Sequence, residues 1–391
     1  MNKNSYLRNK SDTRNRLMAG IYIHIPFCKR RCRYCAFYSS TNSTLQAQYV
    51  KALCRELESR RQYINETVET IYFGGGTPTT LSQAQLGTIL DTIAKNYSIS
   101  NNPEITIEAN PDDLTIEKIS ELRTLPFNRL SVGIQSLNDA RLAELGRRHT
   151  ARQAIEAVKN AQDAGFNNIS IDLMFALPSS TLKEWEETLA HATALCPTHI
   201  SAYNLTYEEG TALYNSMRQG KVTPLSEEEN VEQFERLIDT LATCGYRQYE
   251  ISNFALPGYE SRHNSSYWHD IPYLGAGASA HSYDGDSRQW NIADIKLYIE
   301  GIENGCPDFE IEHLSTADKY NETILTRLRT ADGIPLAWFV QKFGNKLYDY
   351  LLNSAKPHIS HKKLVIEDDR LTLTKEGIFI SDAIMRDLIY I

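Results

Sequence analysis

The chain has 391 residues, of which 41% are hydrophobic and 23% are charged, an ordinary composition for a globular protein. This length is enough for one large domain or for two, since a domain usually has about 100–200 residues. No apolar run reaches the roughly 18 residues of a membrane-spanning helix. Residues 1–17 also lack the apolar segment of a signal peptide, so we expect a cytoplasmic protein rather than an integral membrane protein.

The charges are distributed unevenly along the chain. Residues 1–35 carry nine Lys or Arg and one acid, Asp12, whereas the remaining residues carry 32 bases and 48 acids. A mostly acidic body argues against a nucleic-acid-binding protein, which normally presents a basic face. Residues 1–17 are predicted to be a dispensable, disordered tail, and Met18 directly before the first apolar strand is a second candidate start of translation.

Short β-branched or aromatic runs alternate with helical patterns over most of the chain. Helical spacing of apolar residues occurs at 44–63, 82–97 and 151–166. The predicted strands are Ile21–Ile25, Thr70–Phe73, Ile105–Glu108, Arg129–Ile134, Ile169–Phe175 and His199–Leu205. Six strand–helix units predict an α/β fold, an incomplete (β/α)6 barrel within residues 18–310, with its chemistry at the C-terminal ends of the strands. An open, doubly wound sheet is the alternative.

The composition changes after residue 310. Residues 315–391 are predicted to contain several helices, two short strands at Leu364–Ile366 and Leu371–Thr374, and a last helix from Lys375. This order is similar to that of a winged helix, an α+β domain. Eleven bases against ten acids are too few for a DNA-reading wing. We therefore interpret this domain as a cover or docking module.

Three cysteines, Cys28, Cys32 and Cys35, lie within eight residues after the first predicted strand. Three thiolates on a short loop can bind three irons of a cubane iron–sulfur cluster and leave the fourth iron open. Zinc is the alternative, with His24 as the nearest candidate for a fourth ligand. The spacing matches no common zinc module, so it favours the cluster. Cys54, Cys196 and Cys244 are expected to be buried small hydrophobes.

Glycines and isolated polar residues mark the ends of the next strands. Gly74-Gly75-Gly76-Thr77-Pro78 follows the second strand but lacks the GxxxxGK[ST] pattern of a phosphate loop. Glu108 ends the third strand, Gln135 ends the fourth, and Asp172 lies inside the fifth. A buried carboxylate needs a partner or a ligand. Each residue alone could simply satisfy nearby backbone groups, but one per strand favours a shared polar site.

The CxxxCxxC loop after the first strand of a β/α barrel resembles that of radical S-adenosylmethionine (SAM) enzymes. The resemblance implies a [4Fe-4S] cluster whose open iron is chelated by SAM and which donates an electron that cleaves the SAM sulfonium. Within this family, the motifs between residues 20 and 205 resemble oxygen-independent coproporphyrinogen III oxidase. By position, the residues that this resemblance implies as SAM contacts are Tyr22, Tyr34, Gly75, Gly76, Thr77, Glu108, Gln135, Arg147 and Asp172.

Two departures from the oxidase pattern point to the heme chaperone branch. The oxidase has a fourth cysteine two residues after the third, where this chain has Phe37, and it has a long N-terminal extension, whereas about 20 residues precede the first strand here. The stretch His263-Asn264-Ser265-Ser266-Tyr267-Trp268 also resembles the HNxxYW motif of heme chaperones. This resemblance implies His263, Tyr267 and Trp268 as heme contacts, on a surface adjoining the barrel mouth; on residue types alone, they fit core packing equally well.

The resemblance therefore implies a cytoplasmic heme chaperone that binds a [4Fe-4S] cluster, SAM and heme. It would receive electrons for the cluster from a donor and deliver heme to a recipient hemoprotein, such as a membrane respiratory enzyme, at the inner membrane face. One alternative is a coproporphyrinogen III dehydrogenase that decarboxylates two propionates by radical chemistry. Another is a zinc-stabilised β/α protein without redox activity.

Overall fold

The computed structural model describes residues 18–391, so the predicted tail at 1–17 lies outside the described residues. A twelve-stranded sheet forms the centre of the molecule. Six parallel strands follow one another in chain order: β1 (Met18–Ile25), β2 (Thr67–Gly75), β3 (Ile99–Ala109), β4 (Arg129–Gln135), β5 (Ile169–Phe175) and β6 (His199–Asn204). All six predicted strands are present. Where an observed strand is longer than predicted, most of the added residues lie at its N-terminal end.

Helices connect these parallel strands. They are α1 (Gln46–Ser59), α2 (Gln83–Asn96), α3 (Ile116–Arg123), α4 (Asp139–Leu145), α5 (Ala151–Asp163) and α6 (Leu182–Ala194). Capping boxes start α2, α5 and α6, which explains why these helices begin sharply after their Ser or Thr. Right-handed crossovers between strands in unbroken order place every connecting helix on the same side of the sheet. The fold is therefore the incomplete barrel, and not a doubly wound sheet, whose strand order would reverse.

Antiparallel strands extend both edges of the parallel sheet, and the sequence did not predict them. Next to β6 lie β8 (Asn253–Ala255) and β7 (Arg247–Glu250). Next to β1 lie β9 (Tyr273–Ala276), which is parallel to it, and then β10 (His281–Tyr283), β11 (Ser287–Asn291) and β12 (Phe309–His313). The helices of this part are α7 (Ala212–Arg218), α8 (Glu227–Thr243), α9 (Arg262–Trp268) and α10 (Ile295–Glu303). The chain crosses from one edge to the other between β8 and β9, and α9 lies in that crossing.

A buried carboxylate fastens the β9–β11 extension to α1. Glu56 is 2% exposed and accepts hydrogen bonds from Arg60, the Gly277 amide, Asn291 and Tyr298 at 2.6–3.0 Å. Four donors around one carboxylate compensate for its removal from water. This extension is therefore attached to the barrel by polar contacts as well as by sheet pairing.

The C-terminal part has a three-stranded sheet and a hydrophobic core of its own. It contains the strands β13 (Ile334–Pro335), β14 (Leu364–Glu367) and β15 (Arg370–Leu373), and the helices α11 (Thr316–Arg327), α12 (Leu336–Ser360), α13 (Lys375–Ile378) and α14 (Ser381–Leu388). The predicted final helix is thus two helices. α12 bends at Gly344, whose φ of 76° lies outside the helical region. This α+β arrangement agrees with the fold class expected for the C-terminal part.

None of the helices within residues 18–391 is long and apolar enough to cross a membrane.

Candidate functional site

The inner face of the barrel carries polar side chains, although the sequences of its strands are mostly apolar. Residues two apart on a strand share a face. On β4 and β5, for example, Ser131 and Gly133 lie on the same face, and Gly133 pairs with Asp172 in register. Glu108 on β3 pairs with Ser131, and Asp172 pairs with Ser201 on β6. The polar positions of neighbouring strands therefore meet inside the barrel.

These positions border a cavity of about 380 Å³ that opens at the cysteine loop. The cavity brings together all three cysteines of the triplet and eight of the nine residues predicted to contact SAM: Tyr34, Gly75, Gly76, Thr77, Glu108, Gln135, Arg147 and Asp172. The ninth, Tyr22, lies behind the cavity wall, where its ring stacks on that of Tyr72 with 6.1 Å between centroids. Residues from Cys28 to Asp172, on five different strand ends and loops, thus share one site.

Backbone hydrogen bonds join the glycine loop to the cysteine loop. The amide of Gly76 donates to the carbonyl of Ile25, and that of Thr77 donates to the carbonyl of Phe27, both at 2.8 Å. The Gly75 amide donates to Glu108 at 3.2 Å. The amides of Gly75, Gly76 and Thr77 therefore all have protein partners.

A chain of polar side chains connects two of the cysteines across the cavity. Thr77 Oγ1 donates to Cys28 Sγ at 3.6 Å, and Asn110 Nδ2 donates to Thr77 Oγ1 at 2.9 Å. Arg147 donates to Asn110 Oδ1 and also, through Nη1, to Cys32 Sγ at 3.4 Å. Since hydrogen bonds and a nearby cation favour thiolates, this network suits sulfur atoms that carry negative charge.

The three thiols fit an iron–sulfur cluster better than a zinc ion. All three are free and half-buried, and burial raises the pKa of Cys28 and Cys35. Among the described residues, no three His, Cys, Asp or Glu side chains converge on a point that could hold one metal ion. His24, the candidate fourth zinc ligand, is 4% exposed, and its ring nitrogens face Tyr22 and Tyr38 at 3.2 Å each. A cubane binds each thiolate through a different iron and tolerates this spread.

Two carboxylates line the deeper part of the cavity. Glu108 accepts a hydrogen bond from Tyr72 at 2.7 Å, and Asp172 accepts from Ser131 at 3.3 Å. Burial raises the pKa of Glu108 to about 7 and that of Asp172 above its usual range. Because burial penalises the charged form, both carboxylates are suited to a cationic or hydrogen-bonding ligand that restores the lost solvation.

Two residues of β4 are unusual: Gln135 in its backbone conformation, and Arg129 as a buried cation. Gln135 ends β4 with a φ of 68°, in the left-handed region that is uncommon for a residue other than glycine. Arg129, at the start of β4, is 1% exposed, and its Nε and Nη1 make no hydrogen bond among the described residues. Burial raises the pKa values of Glu108 and Asp172, and the charge of Arg129 offsets part of that rise, since a nearby cation favours ionised carboxylates.

The structure corrects the expected placement of the HNxxYW motif. His263 does not lie on an exposed surface at the barrel mouth: it is 1% exposed, with Nδ1 2.8 Å from the Thr70 hydroxyl and Nε2 2.8 Å from the Tyr267 hydroxyl. Tyr267 and Trp268 line a separate cavity of about 290 Å³ beside β9 and α11. The bond to Thr70 on β2 holds the ring in the barrel interior, whereas Tyr267 belongs to α9 itself.

Sequence reasoning missed several residues of the cavity. Asn110, Ser131, Ser201 and Asn264 line it together with the predicted set. Ser131 and Ser201 carry a signal that could have found them, because each interrupts an apolar strand two positions before or after another inward residue. Asn110 follows Glu108 by two residues. Asn264 carries no such signal, since its position depends on the tertiary packing of α9.

The prediction for two other cysteines is wrong. Cys196 and Cys244 are exposed and not buried, because each lies just after a helix, at the turn that leads to the next strand. Cys54 is half-buried on α1, outside the cavity.

Two family models match this chain: the Radical SAM superfamily over residues 22–192 and the HemN C-terminal domain over residues 314–380. The chain is 37% identical over 365 residues to the heme chaperone HemW of Bacillus subtilis, covering 92% of this chain and 96% of that protein. It is 36% identical over 362 residues to the heme chaperone HemW of Lactococcus lactis, covering 91% and 93%. A mitochondrial protein of Bos taurus, radical S-adenosyl methionine domain-containing protein 1, is 30% identical over 401 residues, covering 95% and 87%.

Among solved structures, the chain is similar to coproporphyrinogen III oxidase (HemN) from Escherichia coli, described as a radical SAM enzyme. The TM-score is 0.81, with 22% identity, and the match covers 95% of this chain and 90% of that one. At this level of identity, the likeness establishes the fold alone.

Proposed function

This chain belongs to the HemW family of heme chaperones, within the radical SAM superfamily, and from that membership we propose that it is itself a heme chaperone. It binds a [4Fe-4S] cluster, SAM and heme, and passes heme to a recipient hemoprotein. The observation that carries the proposal is the cavity in which the cysteine triplet, the glycine loop and two strand carboxylates meet.

In the proposed site, Cys28, Cys32 and Cys35 bind the cluster. A [4Fe-4S] cluster with one open iron supplies the site for SAM and the electron that cleaves it. Arg147 and Thr77 hydrogen-bond to the thiolates and compensate for their charge. The backbone bonds between the glycine and cysteine loops keep the two ligand-binding segments together.

SAM occupies the rest of the cavity in this proposal. Its amino group lies near Gly75, Gly76 and Thr77, whose amides are already bonded within the protein. Glu108 and Asp172 face the cofactor and accept its hydrogen bonds. Gln135, with its constrained backbone, and Tyr34 complete the wall.

Heme binding is supported by family membership. Of the proposed heme contacts His263, Tyr267 and Trp268, His263 has protein partners at both ring nitrogens in this structure. A recipient could not reach a 1% exposed imidazole without local unfolding of α9. A carrier needs a site from which heme can leave, and Tyr267 and Trp268 meet this need better, because they are half-exposed and line the separate cavity of about 290 Å³.

The proposal also includes the partners of a heme chaperone. An electron donor reduces the cluster from the side of the cysteine loop, where Lys29, Arg30 and Arg31 are exposed. The recipient is a hemoprotein such as a membrane respiratory enzyme, and the chaperone works in the cytoplasm, at the inner membrane face during delivery.

Coproporphyrinogen III dehydrogenase is the alternative function. The observation in its favour is that this chain has the same fold as coproporphyrinogen III oxidase. Phe37 argues against this alternative, because it stands where the oxidase pattern has its fourth cysteine. Its side chain is 70% exposed beside the cavity. One anaerobically reconstituted sample, titrated with heme and then assayed for coproporphyrinogen turnover with SAM and a reductant, tests both functions. Stoichiometric heme binding without turnover is expected. Turnover without heme binding would establish the oxidase function instead.

A further inference from the structure

Arg129 is a buried cation without a direct counterion. It is 1% exposed and lies at the N-terminal end of β4, whereas the cysteine loop follows the C-terminal end of β1. Its Nε and Nη1 make no hydrogen bond, and it forms no ion pair with a carboxylate in the described part of the chain. A cation that is removed from water without a partner destabilises the folded state. Its presence here therefore needs an explanation other than a local stabilising contact.

The register of the parallel strands places Arg129 next to the carboxylates of the SAM cavity. On β4, Arg129 shares the inner face of the barrel with Ser131, because the two residues are two apart. Ser131 pairs with Glu108 on β3, and its hydroxyl donates to Asp172 on β5 at 3.3 Å. Arg129 itself pairs with Thr106, two residues before Glu108. Arg129 thus belongs to the layer of inward residues adjacent to the one that holds the two carboxylates.

Two carboxylates are the anions on which the charge of Arg129 acts. The titratable groups that its charge affects come from six elements of the fold: Tyr72, Glu108, Asp172, His199, Tyr249 and His263. Burial raises the pKa values of the two tyrosines and lowers those of the two histidines, in the case of His263 to about 3. These four rings are therefore neutral at pH 7, and Glu108 and Asp172 are left to balance the cation.

The net charge of these side chains matches that of SAM. Arg129 and the two ionised carboxylates, Glu108 and Asp172, sum to one negative charge. Arg147 is not part of this sum, because it is hydrogen-bonded to Cys32 and compensates for the thiolates. SAM carries one net positive charge, since its ammonium and carboxylate groups cancel and its sulfonium remains. Bound SAM therefore leaves the deep part of the cavity neutral.

We propose that Arg129 is a positioning residue of the SAM cavity: through space, its buried charge favours the ionised form of Glu108 and Asp172, which then attract the sulfonium cofactor. The proposal rests on the proposed function in one respect, namely that this cavity binds SAM. Arg129 does not line the cavity itself, so it acts on the carboxylates without occupying the space of the ligand. This role explains why an unpaired guanidinium is retained in the barrel interior.

The other groups that face these carboxylates keep their charge near neutral pH. Besides Arg147, they are Tyr22 on β1, Tyr203 on β6 and Tyr267 on α9, and burial raises the pKa of each of these tyrosines. A difference between variants in the pH dependence of SAM binding therefore reports the two carboxylates.

The experiment measures the pH profile of SAM binding in Arg129→Met and in a matched control, Arg123→Met, which removes an exposed arginine of α3. SAM affinity is determined by equilibrium dialysis on anaerobically reconstituted protein, with iron content, thermal midpoint and heme titration on the same samples. In Arg129→Met the midpoint of the profile should move to higher pH, because both carboxylates lose the nearby cation. Binding at about pH 7 should be roughly threefold to tenfold weaker, since a displacement by one pH unit changes the ionised fraction by up to about tenfold. At about pH 9, binding should equal or exceed that of the wild type, because a charge that repels the sulfonium is absent.

The controls separate this role from a structural one. Arg123→Met should keep the wild-type profile, and the thermal midpoint of Arg129→Met should stay the same or rise, because an apolar chain replaces a buried cation. Arg129→Gln is a second neutral variant that retains hydrogen-bonding groups, and its profile should be displaced in the same way. An unmoved profile in both neutral variants, an equal displacement in Arg123→Met, or failure of both neutral variants to fold would overturn the proposal.

Heme titration separates this inference from the proposed function. Failure of the wild type to bind heme, with the displaced profile as expected, would overturn the chaperone function and leave the role of Arg129 standing. Failure of the wild type to bind SAM would overturn both.

Discussion

Replacing Gly76 by Ala tests how closely the glycine loop and the cysteine loop must approach. A Cβ at this position would lie 2.8 Å from the Phe27 carbonyl oxygen, 2.9 Å from that of Ile25 and 3.0 Å from Cys28 Sγ. Two of these three atoms belong to the backbone and cannot rotate away. The loops must therefore separate, and the separation strains the two hydrogen bonds that those carbonyls accept from Gly76 and Thr77.

The size of the effect follows from these contacts. Two backbone hydrogen bonds contribute a net 0.5–1.5 kcal/mol each, so their loss costs about 1–3 kcal/mol, the usual range for an overpacked site. Each kcal/mol should lower the thermal midpoint of a chain of this size by about 2–4 °C or less. The wild type is expected to bind about four irons after anaerobic reconstitution. The Gly76→Ala variant should bind fewer, because Cys28 is displaced.

Gly87→Ala is the matched control for this variant. Gly87 lies on α2, and a Cβ there would have its nearest contact at 3.7 Å, with Leu125, an ordinary van der Waals distance. Alanine is favoured over glycine inside a helix by about 0.8–1.0 kcal/mol, so the thermal midpoint should rise or stay the same and the iron content should not change. Wild-type iron content and thermal midpoint in Gly76→Ala would refute the reasoning about the loops.

Four further changes test other parts of the structure. Cys32→Ser should remove the reconstituted iron and its visible absorption, whereas Cys54→Ser should not; equal losses would contradict the assignment of the triplet. Asp172→Asn should weaken SAM binding roughly tenfold at unchanged iron content, because an amide accepts fewer hydrogen bonds than a carboxylate; equal affinities by dialysis would exclude Asp172 as a SAM contact. Since the pKa of Glu108 is raised to about 7, SAM binding should strengthen as pH rises through that value, and a flat profile between about pH 6 and 8 would contradict this. The same raised pKa means that the folded state binds this proton more tightly than the unfolded chain, so the contribution of Glu108 to stability should fall as the pH rises from about 4.5 to about 7 and then level off. Glu56→Gln should lower the free energy of unfolding by about 3–5 kcal/mol in urea titration, because it breaks a buried charge pair with Arg60; a change below about 1 kcal/mol would show that the network tolerates an amide.

The positions of the parallel strands could be predicted because each is buried on at least one face and therefore reads as an apolar run. The antiparallel extension could not. Its strands have only three to five residues, which is too short for a clear pattern, and all five residues of β12 are exposed, so that strand carries no buried face. Their pairing depends on distant partners such as Glu56, whose contacts with Gly277 and Asn291 span more than 200 positions.

The candidate site divides in the same way. The cysteine triplet was predictable because its three members lie on one loop, and Glu108 and Asp172 were predictable because a carboxylate inside an apolar strand is costly without a partner. The motif at 263–268 was predicted as a surface, and the structure buries its histidine. Nothing within the motif indicates this, since the groups that bury it, Thr70 and Glu104, come from strands more than 150 positions away.

The sequence by itself was enough to predict the barrel, the loop that carries the three cysteines, and most of the polar residues that line the cavity. It does so because polar residues and glycines stand at the ends of successive predicted strands. Those features depend on local backbone preferences and on the period of two along a strand, which are properties of neighbouring residues. The tertiary structure alone decided which way each polar group of α9 faces. That choice depends on hydrogen bonds and ring contacts between segments far apart in the chain: they enclose His263 in the barrel interior and leave the amide of Asn264 open to the cavity.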